Sequence, residues 1–288
     1  MTFNDDAQAR GSKARKRGAG VAIAGGGVVG VGALVVVLIQ AFTGLDLTGL
    51  LGGAGGPAPE STTIANCDSG RDANESDECR LVYGSVALDE YWTSQLEGYR
   101  GPQLIVVDQS TPSACGTASN ATGPFYCPPE ETVYIDPTFF GLLREQYDAT
   151  AGSLAQLYVL AHEYGHHVQN LTGVMDAHPS NGTGPDSNGV RTELQADCYA
   201  GAWVAGMTEA TDDSGTPYLK APTPAQIADA LNAAASVGDD HIQQESGAVV
   251  NPDSWTHGSS EQRQRWFDTG YGGGPAACDT FAVAGAQL

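Results

Sequence analysis

The sequence predicts an α+β fold, mainly helical with a small β-sheet and preceded by one transmembrane helix. Three observations predict it. Capped, helix-period apolar patterns recur through the second half of the chain, two short runs rich in β-branched residues lie between Gly/Pro signals, and one long uncharged run follows a basic start.

The uncharged run comes first. Val21 to Phe42 reads VAIAGGGVVGVGALVVVLIQAF, long enough to cross a bilayer as a helix, for which about 20 residues are needed. Arg10, Lys13, Arg15, Lys16 and Arg17 precede it, so the positive-inside rule puts residues 1–18 in the cytoplasm as a basic tail, 19–43 through the membrane and the remainder outside. A cleaved signal peptide is the competing reading. It fits less well, because its apolar core is usually about 7–15 residues and no small-x-small cleavage site follows Ile39. Gly25 to Gly30 matches G-x-G-x-x-G, but a Gly/Pro-rich stretch follows where a βαβ unit would be required, so no nucleotide cofactor is expected.

Residues 44–75 carry Gly, Pro, Ser and Thr without apolar periodicity and read as a linker to a domain at 76–288. Within that domain, Leu81 to Leu96 has helical spacing, Leu104-Ile105-Val106-Val107 reads as a buried strand, and Thr132 to Ile135 as a second strand stopped by Asp136-Pro137. Ser153-Leu154-Ala155-Gln156 has the capping-box form and opens a helix to about Leu171. A polar loop at 176–189 leads to a second helix, Val190 to about Ala210, whose Ala and Gly content permits close approach to a neighbour. Thr223-Pro224-Ala225-Gln226 starts a third helix that Gly238 ends, and Ser259 to Gln262 caps a fourth that reaches Phe267.

Charge narrows the partners. The chain holds 13 Lys+Arg against 34 Asp+Glu, a net of -21, although its first residues are basic. An acidic domain of this kind is repelled by nucleic acid, which is excluded as a partner. Six cysteines fit an oxidising exterior. Cys115 and Cys127 bracket a Gly/Ser/Asn/Pro-rich loop and form the first candidate pair; Cys67 with Cys79 and Cys198 with Cys278 would complete the set. Ligation of a metal by Cys198 is the alternative for that residue.

The chemistry rests on Ala161-His162-Glu163-Tyr164-Gly165-His166-His167. His162 and His166 stand four apart on one helical face, so both imidazoles can ligate one ion, and Glu163 is placed to take a proton from water there. A hydrolytic zinc usually takes three protein ligands and leaves a fourth position open. Glu193 and Asp197 on the second helix are also four apart: Glu193 can complete a His2Glu set, and Asp197 can accept a hydrogen bond from a ligating ring and fix its tautomer. His257 is the candidate oxyanion stabiliser, against the plainer reading of a helix-entry residue. His167, turned about 100° from its neighbour, is expected to pack or orient a carboxylate. The strand at Val133 to Ile135 is a candidate to pair with an extended peptide.

Several stretches carry a resemblance in order: HEYGHHVQNLTG at 162–173, RTELQADCYAG at 191–201, GPFYCP with VYID at 123–136, and NAAASVGDD with SWTHGSSEQRQRWF. The chain resembles the bacterial putative neutral zinc metallopeptidase family over most of residues 80–281. The resemblance implies a zincin-like, gluzincin-type domain with one zinc ion per chain, His162, His166 and Glu193 as ligands and Glu163 as general base, and a single amino-terminal membrane anchor. The expectation is therefore a membrane-anchored extracytoplasmic zinc peptidase acting on peptides or proteins. Two alternatives stand beside it: a non-catalytic anchored module stabilised by zinc, and a zinc hydrolase acting on cell-wall peptides.

Overall fold

In the computed structural model, which describes residues 2–9, 11–18, 61–146 and 150–288, strands β1 (Arg15–Gly18) and β2 (Thr62–Thr63) precede helices α1 (Gly70–Glu75) and α2 (Asp77–Gln95). Strands β3 (Gln103–Asp108), β4 (Ser110–Ser113), β5 (Gly116–Ser119), β6 (Phe125–Cys127) and β7 (Thr132–Ile135) follow. The rest is helical: α3 (Phe139–Gln146), α4 (Ser153–Leu171), α5 (Val174–Ala177), α6 (Asn188–Gly206), α7 (Pro224–Ser236), α8 (Asp239–Glu245) and α9 (Ser260–Gly273). The α+β expectation is met. The expected transmembrane helix at 19–43 lies outside the described residues, among which no helix is long and apolar enough to cross a membrane.

Side-chain alternation in the strands sorts the core. Leu104, Val106, Val133 and Ile135 turn to the helical face of the sheet, while Ile105, Val107 and Tyr134 turn to the other, against Ala118, Phe125 and Cys127. Strand order is β2-β1-β3-β7-β6, mixed, with β4-β5 as a separate hairpin. β7 is parallel to β3 on one side and antiparallel to β6 on the other, so the strand expected to receive a peptide has both edges occupied. The edge strands of the sheet are β2 and β6, and β6 is the one next to β7. Sequence alternation marks a strand as buried but does not say which strand is last in the sheet.

Residues 2–9 and 11–18, expected as part of a separate tail, pack onto the domain. Phe3 is fully buried edge-on to Tyr83 at 5.1 Å, Asn74 Oδ1 accepts the N–H groups of Thr2 and Phe3 at 3.1 Å each, and β1 runs parallel to β3 in the register Arg15 to Ile105. The expected bounds of a tail at 1–18 and a domain beginning at 76 do not mark a break in this packing. The linker also ends before residue 75: Ser69 and Asp72 form a capping box that opens α1.

All three expected cysteine pairs are formed, Cys67–Cys79, Cys115–Cys127 and Cys198–Cys278. Cys198 is therefore not a metal ligand.

Candidate metal centre

Helix α4 carries the two spaced histidines because its other side is apolar: Leu154, Leu157, Leu160 and Ala161 are buried in the main core. The helix begins at Ser153 as expected, but the capping box does not form. Gly152 is the N-cap, and Gln156 instead turns inward to accept from Arg80 at 2.8 Å and donate to the Ala151 carbonyl at 3.2 Å. Helix α6 starts two residues before the expected Val190, capped by the Ser187 hydroxyl.

Gly165 sets the distance between these helices. A Cβ there would come within 2.9 Å of the Ala196 Cα, so only glycine lets the backbones approach this closely. The approach delivers Glu193 and Asp197 to the histidine face. Glu193 Oε2 lies 3.2 Å from His162 Nε2, and its Oε1 lies 3.5 Å from His166 Nε2. The two rings stand nearly perpendicular, 87° between planes. His162, His166 and Glu193 are the described residues whose ligand atoms converge, all within 4.8 Å of one another and all buried.

The donors fit a divalent cation. His162 Nδ1 lies 2.8 Å from Asp197 Oδ1 and His166 Nδ1 lies 2.9 Å from Gln169 Oε1, so each ring gives its Nδ1 proton outward and presents Nε2 inward. Two imidazole lone pairs and a carboxylate then face one another, an arrangement that a cation at their centre stabilises. Burial alone would lower the His162 pKa, but the charges of Asp197 and Glu193 overcome it and push it up to about 10. His166 moves the other way, to about 4, chiefly through burial.

Glu163 is buried beside these donors, and burial, reinforced by the charge of Glu193, pushes it up to about 7 against the opposing effect of His162. Its carboxylate also accepts the Tyr126 backbone N–H, so the open edge of β6 faces this side chain.

Asp197 sits behind His162 and holds more than a ring proton. Tyr158 donates to its Oδ1 at 2.5 Å, and Arg263 from α9 donates through Nε and Nη2 at 2.8 and 3.0 Å. The sequence reading missed both partners. Tyr158 stands four residues before His162 and therefore on its face, a signal that was present; Arg263 lies on a distant helix where a lone arginine reads as solvated.

His257 precedes α9. Asp239 Oδ2 accepts the backbone N–H groups of Thr256, His257 and Gly258 at 2.7, 2.6 and 2.9 Å, and its Oδ1 pairs with His257 Nδ1 at 3.1 Å. Burial would lower the His257 pKa, but Asp239 and then Glu193 raise it. Its buried Nε2 has no hydrogen-bond partner among the described residues. His167 packs, as expected of one of its two readings: it is fully buried between the Tyr126 hydroxyl at 3.0 Å and the Arg100 carbonyl at 2.6 Å.

Residues 3–281 match the family described as "Putative neutral zinc metallopeptidase". The chain belongs to that family. It is 46% identical over 223 residues to the uncharacterized protein Rv2575 of Mycobacterium tuberculosis, covering 77% of this chain and 76% of the relative. It is 38% identical over 262 residues to the uncharacterized protein YpfJ of Escherichia coli K12, covering 86% and 85%. No solved structure matches the chain significantly. The family match begins at residue 3, so it takes in the segment that carries Phe3 and β1 as well as the metal centre.

Proposed function

We propose that this protein is an extracytoplasmic zinc peptidase in which His162, His166 and Glu193 hold one zinc ion. The observation that carries the reading is the buried convergence of these three donors with Glu163 next in the chain to the first of them. Bound zinc would supply an acidified water and an electrophile for a peptide carbonyl. Glu163, held near neutrality by its surroundings, takes a proton from the attacking water and returns it to the leaving nitrogen. His257 donates from Nε2 to the oxygen that gains charge, with Asp239 fixing the ring from the other side. The open edge of β6, beside Glu163, is the surface on which an extended peptide would add as a strand.

The three disulfides support the extracytoplasmic setting. Membrane association through residues 19–43 stays part of the proposal on sequence grounds, and the pairing of β1 with β3 favours a topology in which the N-terminal strand is on the same side as the domain and these residues are held at the membrane without a single crossing. A periplasm- or exterior-dependent reporter fused before Thr2 would be active in this topology. It would be silent if the N-terminus were cytoplasmic.

A structural zinc site is usually closed by a fourth protein ligand and has no use for a buried carboxylate beside the metal. Three donors converge among the described residues, which favours an enzyme over a non-catalytic module. The test is metal content by mass spectrometry with unbiased peptide-library cleavage, using the full chain and Glu163→Gln. One zinc per chain in both proteins, with cleavage only by the parent, is expected. Zinc with no cleavage by either protein would favour the module, and cleavage restricted to cell-wall cross-link peptides would narrow the substrate.

A further inference from the structure

The second ligand histidine, His166, is backed by a chain of amides whose direction is fixed at its far end. Gln195 Nε2 donates to the Cys278 backbone carbonyl at 2.8 Å. A carbonyl can only accept, so the amide nitrogen of Gln195 must point to it, and Gln195 Oε1 must face the other way. That oxygen accepts from Gln169 Nε2 at 3.0 Å, and the same nitrogen donates to the Thr192 carbonyl at 2.7 Å. Both protons of the Gln169 amide are then committed, and its Oε1 faces His166 Nδ1 at 2.9 Å. Two acceptors cannot meet at that distance, so His166 carries its proton on Nδ1.

We propose that Gln169 and Gln195 are positioning residues that set the tautomer of His166, with the Cys278 carbonyl as the fixed end of the chain. This rests on the reading of His166 as a metal ligand. Reversing either amide would bring oxygen against a backbone carbonyl, and the cost of that contact is large because Gln169 is fully buried and Gln195, Thr192 and Cys278 are nearly so. Cys278 is itself tied to Cys198 on α6 by the disulfide, three residues after Gln195 in the chain. The C-terminal segment thereby reaches the metal centre without contributing a ligand. The two ligand rings are governed differently: a carboxylate backs His162, and a neutral amide chain backs His166.

The test uses long-range 1H–15N correlation spectra of histidine-labelled, zinc-free full chain, with the His166 resonances assigned by their loss in His166→Gln. The wild-type protein should show His166 as the Nδ1–H tautomer. Finding Nε2–H there overturns the proposal without any variant. In Gln195→Met, expected to fold because the side-chain volume is kept, His166 should show a mixture of tautomers, and zinc affinity measured by chelator competition should fall about tenfold. Gln195→Glu, which still accepts from Gln169, should keep the Nδ1–H tautomer; a mixture of tautomers there would overturn the part assigned to the Gln169–Gln195 contact. An unchanged tautomer and zinc affinity within twofold in a folded Gln195→Met overturns the proposal. A wild-type Nδ1–H tautomer in a protein that binds no zinc would leave the amide chain standing and remove the ligand reading instead.

Discussion

Arg263 clasps Asp197 with two hydrogen bonds, at 2.8 and 3.0 Å, and both side chains are buried. The guanidinium also donates to the Val237 carbonyl at 3.1 Å and to the Tyr158 hydroxyl at 3.3 Å, so four of its five N–H groups are engaged by these partners. Burial would lift the Asp197 carboxyl, but Arg263 and then His162 hold it low, so it stays ionised and keeps the His162 Nδ1 proton. An ion pair on α9 thus fixes the orientation of a ring on α4 through a carboxylate on α6.

Replacing Arg263 by Met should cost about 3–5 kcal/mol, because the change leaves Asp197 as an uncompensated buried charge. Urea denaturation of the two proteins measures this directly. The double variant Arg263→Met/Asp197→Asn should recover part of the loss, and a single-variant cost below about 1 kcal/mol would show that water reaches the pair.

His257→Ala should lower kcat by about 100- to 1000-fold while leaving zinc affinity within twofold. The measurement is steady-state hydrolysis of a peptide selected from the library beside chelator competition. Loss of zinc binding in step with activity would make His257 a structural residue of the α9 entry.

The Asp239–His257 pair should couple in a pH-dependent way in the metal-free protein. His257 is raised from 6.5, so its share of the stability is present below that value and is lost as pH climbs through the folded-state pKa. Asp239 is lowered from 3.8: burial would raise it, but the His257 charge and the hydrogen bonds from residue 257 prevail. Its share is present above 3.8 and is lost as pH falls through the folded-state value. Asp239→Asn and His257→Gln, combined in a double-mutant cycle, should therefore show larger coupling at pH 5.5 than at pH 9. Equal coupling at both would mean that the pair is held by hydrogen bonds without charge.

Gly165→Ala should destabilise the protein by about 1–3 kcal/mol and weaken zinc binding, since the added methyl meets Ala196 and pushes α6 away from α4. Thermal unfolding and chelator competition check the two halves of this expectation. Gly272, where a Cβ meets nothing, serves as the control, and an equal response there would show a general effect of alanine.

The helices of the site were legible because their signals are local. The spacing of His162 and His166 and the caps at Thr223 and Ser259 need no partner to be recognised, and α7 and α9 start where those caps place them. Glu193 and Asp197 could be paired with the histidines by spacing alone, since both pairs repeat the helical turn. Arg263, Gln195 and Asp239 could not. Each acts across more than 15 residues of chain, and its own neighbours give it an ordinary polar setting. The contacts of the N-terminal segment were illegible for the same reason: five basic residues beside an apolar run look like a membrane flank, and nothing local reveals that Phe3 fills a space beside Tyr83.

Helices α6 and α9 meet at Gly270, where a Cβ would fall 1.8 Å from the Cys198 carbonyl oxygen, and at Gly201, where it would fall 2.0 Å from that of Phe267. Main chain touches main chain there, with no side chain as spacer. The gauge between the helix that bears Glu193 and the helix that bears Arg263 is consequently written in atoms that every amino acid shares. A side chain at Gly201 or Gly270 would have to push the two main chains apart, and the separation of Glu193 from Arg263 would change with them.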